Sequence, residues 1–559
     1  MLLTIFRFMP RLFIVFISIL YLAACGGSSS PPLNLNSSEF VVEECVVEES
    51  SAPGDAVAIS GVVSFDFVPH RTRGSALDYD AMIAKPARGV EVVLLDQCSE
   101  ELKSSITNSV GEYRFDDVEA NVEVSVRVKA RLLSTGNASW DFSVTDNTND
   151  DALYVLQGAN LTSSSDDSSR DLHAASGWGG ENYSAVRSAA PFAILDTVYD
   201  SIQLITSVDS AADFVSTELR WSTLNNTTLG DLAEGDIASS FYDPDSKYIY
   251  LLGRENDDTD EYDQHVIAHE FWHYFEDNFS RTDSIGGPHG GGDLLDFRVA
   301  YSEGAGNAFS GMVLDDPIYV DSLGDGQLRG FTFDLEENVV FVPGWYSESS
   351  VQSILYDLYD SNSVDDGVDT IDNAFFEFYS VVTSAAFKNS STMTGIHLFL
   401  SELKAQFPNL SAEVDALANQ QDITVIDAKA TDETNDGGKP SVLPLYKTVS
   451  VGGPAVEVCS INDFGVFNKL GNTQFVELTI SSSASYSLSV NRVSGMDPSD
   501  PDFGVWRNGA LVDYAGSMEE NSEEKLFSLT AGVHIIEIFE YGNMDDSQSG
   551  DVCFEFEVN

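Results

Sequence analysis

The run of residues 266–275 constrains the fold most, because it has the pattern of one amphipathic helix that carries two histidines. His269 and His273 are four residues apart, about one helical turn, so both imidazoles can reach the same metal ion. The opposite side is apolar, with Ile267 and Phe271 suited to packing against a core. We therefore predict a buried helix with a metal site on one face.

Glu270 follows the first histidine directly and completes an H-E-x-x-H pattern. Two neutral imidazoles hold zinc well and leave room for water, and an adjacent carboxylate can take a proton from that water. The pattern predicts zinc bound by His269 and His273, with Glu270 as general base. It resembles the zinc metallopeptidases, which hydrolyse peptide bonds in this way.

A third ligand must come from another part of the chain. His265, Glu276 and Asp277 lie too far along the same helix to share the ion. Glu303, in the small-residue run 299–309, resembles the glutamate ligand of gluzincins, the thermolysin-like and fungalysin-like peptidases. That resemblance assigns Glu303 to the metal and Asn307 to a supporting position, where thermolysin-like enzymes have an aspartate that orients a zinc histidine.

The same resemblance implies a donor to the oxyanion that forms during peptide hydrolysis. Tyr346 lies in a setting similar to the catalytic tyrosine of aminopeptidase-N-like gluzincins, and His397 resembles the thermolysin histidine. Both remain candidates, as does a purely structural role for each. His289, in the glycine-rich run 286–292, could line the cleft, but a loop histidine is the favoured interpretation. The aminopeptidase pattern G-x-M-E-N is absent from the sequence, which favours an endopeptidase.

The N-terminus has the pattern of a secretory signal, with Arg7 and Arg11 before the apolar run 12–22. Residues 22–26 resemble a bacterial lipobox, which implies that Cys25 is lipidated and holds the protein to a membrane. The Gly after Cys25 implies outer-membrane sorting. The alternative is an ordinary secretory signal with an incidental cysteine.

Four cysteines remain besides Cys25, and a secreted chain reaches an oxidising compartment in which they can form disulfides. Three pairings are possible, and we predict Cys45–Cys98 and Cys459–Cys553 because each pair then brackets one β domain.

The predicted fold is multidomain, an α+β metallopeptidase core between two β-sandwiches. We expect a signal peptide at 1–25, a tether at 26–40, a sandwich at 41–160, the core at 161–430 and a second sandwich at 441–559. Residues 88–92 and 109–115 resemble carboxypeptidase-regulatory-like modules. Residues 475–480, 486–490 and 554–558 alternate as strands and resemble pre-peptidase C-terminal domains. Helical spacing over 189–205 opens the core.

The formal net charge is −62, from 28 Lys and Arg against 90 Asp and Glu. Such a charge repels phosphates, so nucleic acid is excluded as a partner and the membrane is contacted through the lipid anchor only. Acidic loops around Asp315, Asp321 and Asp325, and around Asp365 and Asp369, are candidate calcium sites, although solvated surface is the favoured interpretation.

These observations predict a lipid-anchored zinc endopeptidase of the bacterial cell envelope, with a protein or peptide as substrate. The alternative is a non-catalytic surface lipoprotein that binds protein or polysaccharide on a peptidase-like fold. In that alternative, Trp506 on the last sandwich would belong to the binding surface.

Overall fold

The computed structural model of the protein describes residues 56–336, 340–360, 371, 373–546 and 549–559. The predicted signal peptide, tether, lipidation site at Cys25, half-cystine Cys45 and acidic loop around Asp365 lie outside these residues. The described part contains several β-sheets together with helices. No helix within it has the length and apolar character needed to cross a membrane.

The first part of the described chain is built from strands. They are β1 (Ala56–Phe67), β2 (Ile83–Pro86), β3 (Val90–Asp96), β4 (Glu101–Ile106), β5 (Glu112–Glu119), β6 (Glu123–Gly136), β7 (Ala138–Asp146), β8 (Ala152–Leu153), β9 (Val155–Gln157), β10 (Leu161–Thr162), β11 (Ser168–Ser169) and β12 (Leu172–Ala174). Strand β1 buries Val63 and Phe65 and leaves the residues between and after them partly exposed. That alternation is what one buried sheet face requires.

The middle part mixes helices and strands. It contains α1 (Ala190–Val208), β13 (Thr217–Trp221), β14 (Phe241–Asp243), β15 (Tyr248–Leu251), β16 (Gly253–Arg254), β17 (Asp258–Thr259), α2 (Gln264–Phe279), α3 (Phe297–Leu314), β18 (Ile318–Leu323), β19 (Arg329–Asp334), α4 (Glu348–Asp357), α5 (Phe375–Thr383), α6 (Ala385–Lys388), α7 (Ile396–Gln406) and α8 (Ser411–Gln420).

One sheet joins these two parts, in the strand order β14-β15-β13-β7-β6-β3-β4. Strand β7 pairs parallel with β13, and Val144 lies opposite Leu219 in that register. Both residues are fully buried in a core that also contains Phe271 of α2. The sheet therefore continues across the boundary predicted at residue 160, and the first strands share a core with helix α2.

The last part forms two sheets that face each other. Its elements are β20 (Tyr446–Val449), β21 (Val456–Ser460), β22 (Thr473–Ile480), β23 (Ala484–Gly495), β24 (Pro501–Arg507), β25 (Ala510–Ala515), β26 (Ser522–Leu529), β27 (Gly532–Glu540), α9 (Tyr541–Asp545) and β28 (Val552–Val558). The sheets run β20-β22-β27-β24-β25 and β21-β28-β23-β26, and both contribute to one apolar cluster. Cys459 lies opposite Cys553 in the β21–β28 register and is bonded to it, which confirms that disulfide.

A buried ion pair joins this last part to α3. Arg298 donates to Glu537 over 2.7 Å and to Asp296 over 2.9 Å, and its guanidinium lies 4.8 Å from the ring centroid of Phe475. The indole of Trp506 donates to the other oxygen of Glu537 over 2.8 Å, so this indole takes part in the contact with α3.

Candidate metal centre

Helix α2 positions His269, Glu270 and His273 because its other side is anchored in the core. Phe271 and Trp272 are fully buried and pack on Phe309 of α3. His269 and His273 face Glu303 of α3, Glu270 faces Tyr242 of β14, and His269 and Glu270 are almost entirely buried.

Three side chains converge in that groove. Nε2 of His269 lies 3.0 Å from Nε2 of His273 and 3.1 Å from Oε2 of Glu303, and Nε2 of His273 lies 3.3 Å from the same oxygen. Among the described residues, these three also form a group whose ligand atoms all lie within 4.8 Å of one another.

The triangle formed by Nε2 of His269, Nε2 of His273 and Oε2 of Glu303 fits one metal ion of the size of zinc. Zinc–nitrogen distances near 2 Å in a tetrahedral site place neighbouring ligand atoms about 3.3 Å apart. The three edges described above are close to that value. Two imidazoles and one carboxylate are also a common donor set for catalytic zinc, with a position left open.

Small residues let α3 approach this closely. A Cβ atom added to Gly306 would lie 2.9 Å from the ring of His269, and one added to Gly304 would lie 2.7 Å from the carbonyl oxygen of Glu348. Both contacts are too short for a real methyl group, so the small residues of this helix are required by its packing.

Asn307 orients the first imidazole. Its Oδ1 lies 2.8 Å from Nδ1 of His269, while its amide nitrogen donates to Glu348 over 2.7 Å and to Gln352 over 2.9 Å. Those two acceptors fix which end of the amide faces the ring. Nδ1 of His269 therefore carries the proton, and Nε2 is left with its lone pair for a metal.

The second imidazole is held through Ser302. Its hydroxyl lies 3.4 Å from Nδ1 of His273 and donates to Oε2 of Glu276 over 2.6 Å. Burial raises the pKa of Glu276 to about 7. Glu276 thus supports the site from behind. His265, one turn before His269, bonds Ser310 over 3.0 Å, and burial lowers its pKa to about 3.

Glu270 is held by the edge of the large sheet. Its Oε2 accepts a hydrogen bond of 2.9 Å from the backbone N–H of Tyr242 in β14. The hydroxyl of Tyr242 donates to Asp277, one residue past Glu276 on α2, over 2.7 Å. Strand β14 is therefore fixed against α2 beside the carboxylate that follows His269.

His289 reaches the same site, so the favoured interpretation of it as a loop histidine without a place in the cleft is wrong. Its Nε2 lies 3.2 Å from Oε2 of Glu303 and its Nδ1 lies 2.9 Å from Oε2 of Glu348. Burial alone would lower the pKa of His289, but the carboxylates of Glu303 and Glu348 outweigh it and raise that pKa to about 11. The available signal was a histidine in a glycine-rich loop between helices α2 and α3.

No protein-family model and no curated protein matches the chain. Among solved structures, part of it is similar to the pre-peptidase C-terminal domain of a collagenase from Bacillus anthracis, at 14% identity and a TM-score of 0.16, over 20% of this chain and 94% of that one. A surface-associated copper-binding protein from Methylomicrobium album BG8 matches at 7% identity and a TM-score of 0.16, over 20% of this chain and 96% of that one. These scores carry no inference about activity.

The two predicted oxyanion donors have other partners. The hydroxyl of Tyr346 donates to Oδ1 of Asn435 over 2.7 Å and lies 3.2 Å from the carbonyl oxygen of Pro343. Nε2 of His397 lies 3.2 Å from Oε2 of Glu433, and both side chains are buried. Both residues thus contact the loop around residues 433–435. His289 is instead the histidine that contacts Glu303 of the candidate metal group, which consists of His269, His273 and Glu303.

Proposed function

We propose that the protein is a zinc-dependent endopeptidase that hydrolyses protein or peptide substrates. The observation that supports this most is the convergence of His269, His273 and Glu303 on one point, with Glu270 on the same helix. The proposed core is the α+β region of residues 161–430, which holds all four residues.

His269, His273 and Glu303 would hold the zinc. When bound, zinc supplies a Lewis acid that polarises a peptide carbonyl and makes nearby water more acidic. Glu270 would take the proton from the attacking water and later deliver it to the leaving amine. The backbone N–H of Tyr242 steadies that carboxylate, so its other oxygen is available for the proton.

We also propose His289 as the donor to the developing oxyanion. Its Nε2 lies next to the ligand carboxylate of Glu303, and Glu348 holds its other ring nitrogen, so the ring has a fixed direction. Tyr346 and His397, the rival candidates from the sequence, bond instead to Asn435 and Glu433. A preorganised donor of this kind is worth about 10²- to 10³-fold in turnover.

The setting of the enzyme is proposed from the sequence. Lipidated Cys25 would anchor it to the bacterial envelope, in the outer membrane, and the tether at 26–40 would separate it from the bilayer. The first sandwich would be carboxypeptidase-regulatory-like and the second pre-peptidase C-terminal-like. The second contacts α3 through Arg298 and Glu537, so it would also support the peptidase core.

The test is zinc content and hydrolysis of an unfolded protein, measured on the purified full chain and three variants. Glu270→Gln should keep about one zinc and lose most hydrolysis, because an amide cannot take the water proton. Glu303→Gln should lose zinc and hydrolysis together, because it removes the anionic ligand. Glu402→Gln, in helix α7 outside the metal group, is the control and should match the wild type. Full activity in Glu270→Gln would refute the proposal.

A further inference from the structure

A second group of ligating side chains lies at the start of α2, away from the histidines. Asp258 in β17, Asp260 in the following turn, Asp263 directly before α2 and Asp321 in β18 each offer a carboxylate oxygen within 4.8 Å of the others. Asp260 and Asp263 are buried, and Asp258 and Asp321 are half-buried. Strand β17 is paired with β18 beside them, which brings the fourth aspartate to the other three.

The charge of this group is poorly compensated. Asp263 is satisfied, since Nε2 of His70 lies 2.7 Å from its Oδ1 and the N–H of Ser322 donates to its Oδ2 over 2.9 Å. Over the described ranges, no lysine or arginine forms an ion pair with any of the four aspartates, and His70 is the ionisable base that contacts them.

Three carboxylate oxygens of the group have no hydrogen-bond partner, and they belong to Asp258, Asp260 and Asp321. Asp260 is 2% exposed, so its free Oδ1 cannot be satisfied by bulk water, while its Oδ2 accepts from Ser240. A buried oxygen of this kind is costly unless something binds it. Its neighbours in the group are further carboxylates, which can only accept while ionised.

Burial, reinforced by Asp263, raises the pKa of Asp258 to about 7 and that of Asp321 to about 9. The empty group would therefore hold protons at neutral pH. A divalent cation would offset the repulsion among the carboxylates without protons, and it would also bind the oxygens that have no hydrogen-bond partner. An all-oxygen donor set favours calcium over zinc, which prefers nitrogen and sulfur.

We propose that Asp258, Asp260, Asp263 and Asp321 bind a calcium ion that fixes the start of helix α2. Calcium takes six to eight oxygens, so further oxygen ligands such as water would complete the coordination that the four carboxylates begin. Asp263 lies six residues before His269, so the ion would brace the helix that carries the metal-binding histidines. The proposal is independent of the peptidase activity. Among the described aspartates that the sequence suggested as calcium ligands, Asp321 is the one that belongs to this group.

The experiment uses the full chain, stripped of metals with a chelator and then returned to one equivalent of zinc. Thermal unfolding is followed without further metal, with 1 mM calcium (about a physiological extracellular level) or with the same concentration of magnesium. Calcium should raise the unfolding midpoint of the wild type by about 3 °C or more, because it binds the folded state preferentially. Elemental analysis should find about one calcium per chain.

Asp260→Asn and Asp321→Asn should lose the calcium-dependent shift. Asp321 is half-buried, so this second variant serves if Asp260→Asn fails to fold. Asp325→Asn, at an exposed aspartate nearby, is the matched control and should keep the whole shift.

Three results would overturn the proposal. The first is a wild type whose midpoint calcium does not change, which would mean that the group is held by protons alone. The second is a full calcium shift in both Asp260→Asn and Asp321→Asn. The third is an equal shift with magnesium, which would reject calcium as the ion.

Discussion

Asn307 donates its side-chain amide to Oε1 of Glu348 across 2.7 Å, and its carbonyl oxygen faces Nδ1 of His269. An aspartate at this position, as in thermolysin-like enzymes, could orient the imidazole equally well. It would also bring a second carboxylate against Glu348, which already contacts His289. The amide is therefore suited to this site because the glutamate from α4 is its neighbour.

Asn307→Asp should weaken the site. The new carboxylate would replace a donor with an acceptor opposite Glu348, and like charges at this distance repel in a buried setting. We expect zinc affinity to fall about 10- to 100-fold, the usual effect of disturbing a partner of a metal-bound histidine. Zinc affinity is measured by competition with a chelator of known strength.

Adding Glu348→Gln to Asn307→Asp should restore zinc affinity. Its amide nitrogen would donate to the carboxylate introduced by Asn307→Asp, and its carbonyl oxygen would still accept from His289. Zinc affinity in the double variant should return to within a few fold of the wild type. If the double variant binds zinc no better than Asn307→Asp, charge repulsion is not the reason for the asparagine.

His289→Ala should lower kcat about a hundredfold or more and leave bound zinc and KM nearly unchanged, because a donor to the oxyanion acts mainly in the transition state. His173→Ala is the control, since His173 is exposed, bonds Asp66 and Ser64, and does not belong to the group of His269, His273 and Glu303. Loss of zinc would instead mark His289 as a ligand. Normal kcat would return the role to Tyr346 or His397.

Local patterns were enough to predict two of the central helices. The apolar spacing of residues 266–275 lies within α2, and the spacing over 189–205 closely matches α1. Glu303 was assigned through a family resemblance, and the structure brings it to both histidines because glycines 304 and 306 allow close packing of α3.

Contacts between distant segments were not visible in the sequence. His289 reaches Glu303 from a loop, and loops have no periodicity that fixes the direction of a side chain. The acidic group joins residues 258–263 to Asp321 only because β17 pairs with β18. The pairing of β7 with β13 likewise depends on packing and not on a local pattern, so it was not expected.

Arg298→Met should destabilise the folded chain by roughly 3–5 kcal/mol, because it leaves the buried carboxylates of Asp296 and Glu537 without their cation. Since α3 also carries Glu303, zinc affinity should fall in parallel. Urea unfolding and zinc titration measure the two effects. Arg329→Met, at an exposed position in β19, is the control. Unchanged stability would mean that the second sandwich does not support the metal centre.

Asp502 in β24 should make the chain less stable as the pH rises. Burial raises the pKa of this carboxyl from 3.8 to about 8, against the hydrogen bond from Tyr514, and Asp500 and Glu523 add repulsion. Between about pH 4 and 8 the folded state therefore keeps a proton that the unfolded state releases, so the stability contributed by this group is present at low pH and lost as pH approaches 8. In Asp502→Asn the urea midpoint should fall less between pH 5 and pH 8 than in the wild type, and the variant should be more stable than the wild type at pH 9. Glu519→Gln, on the exposed surface, is the control and should follow the wild type. A variant with the wild-type slope would show that Asp502 is ionised in the folded chain throughout this range.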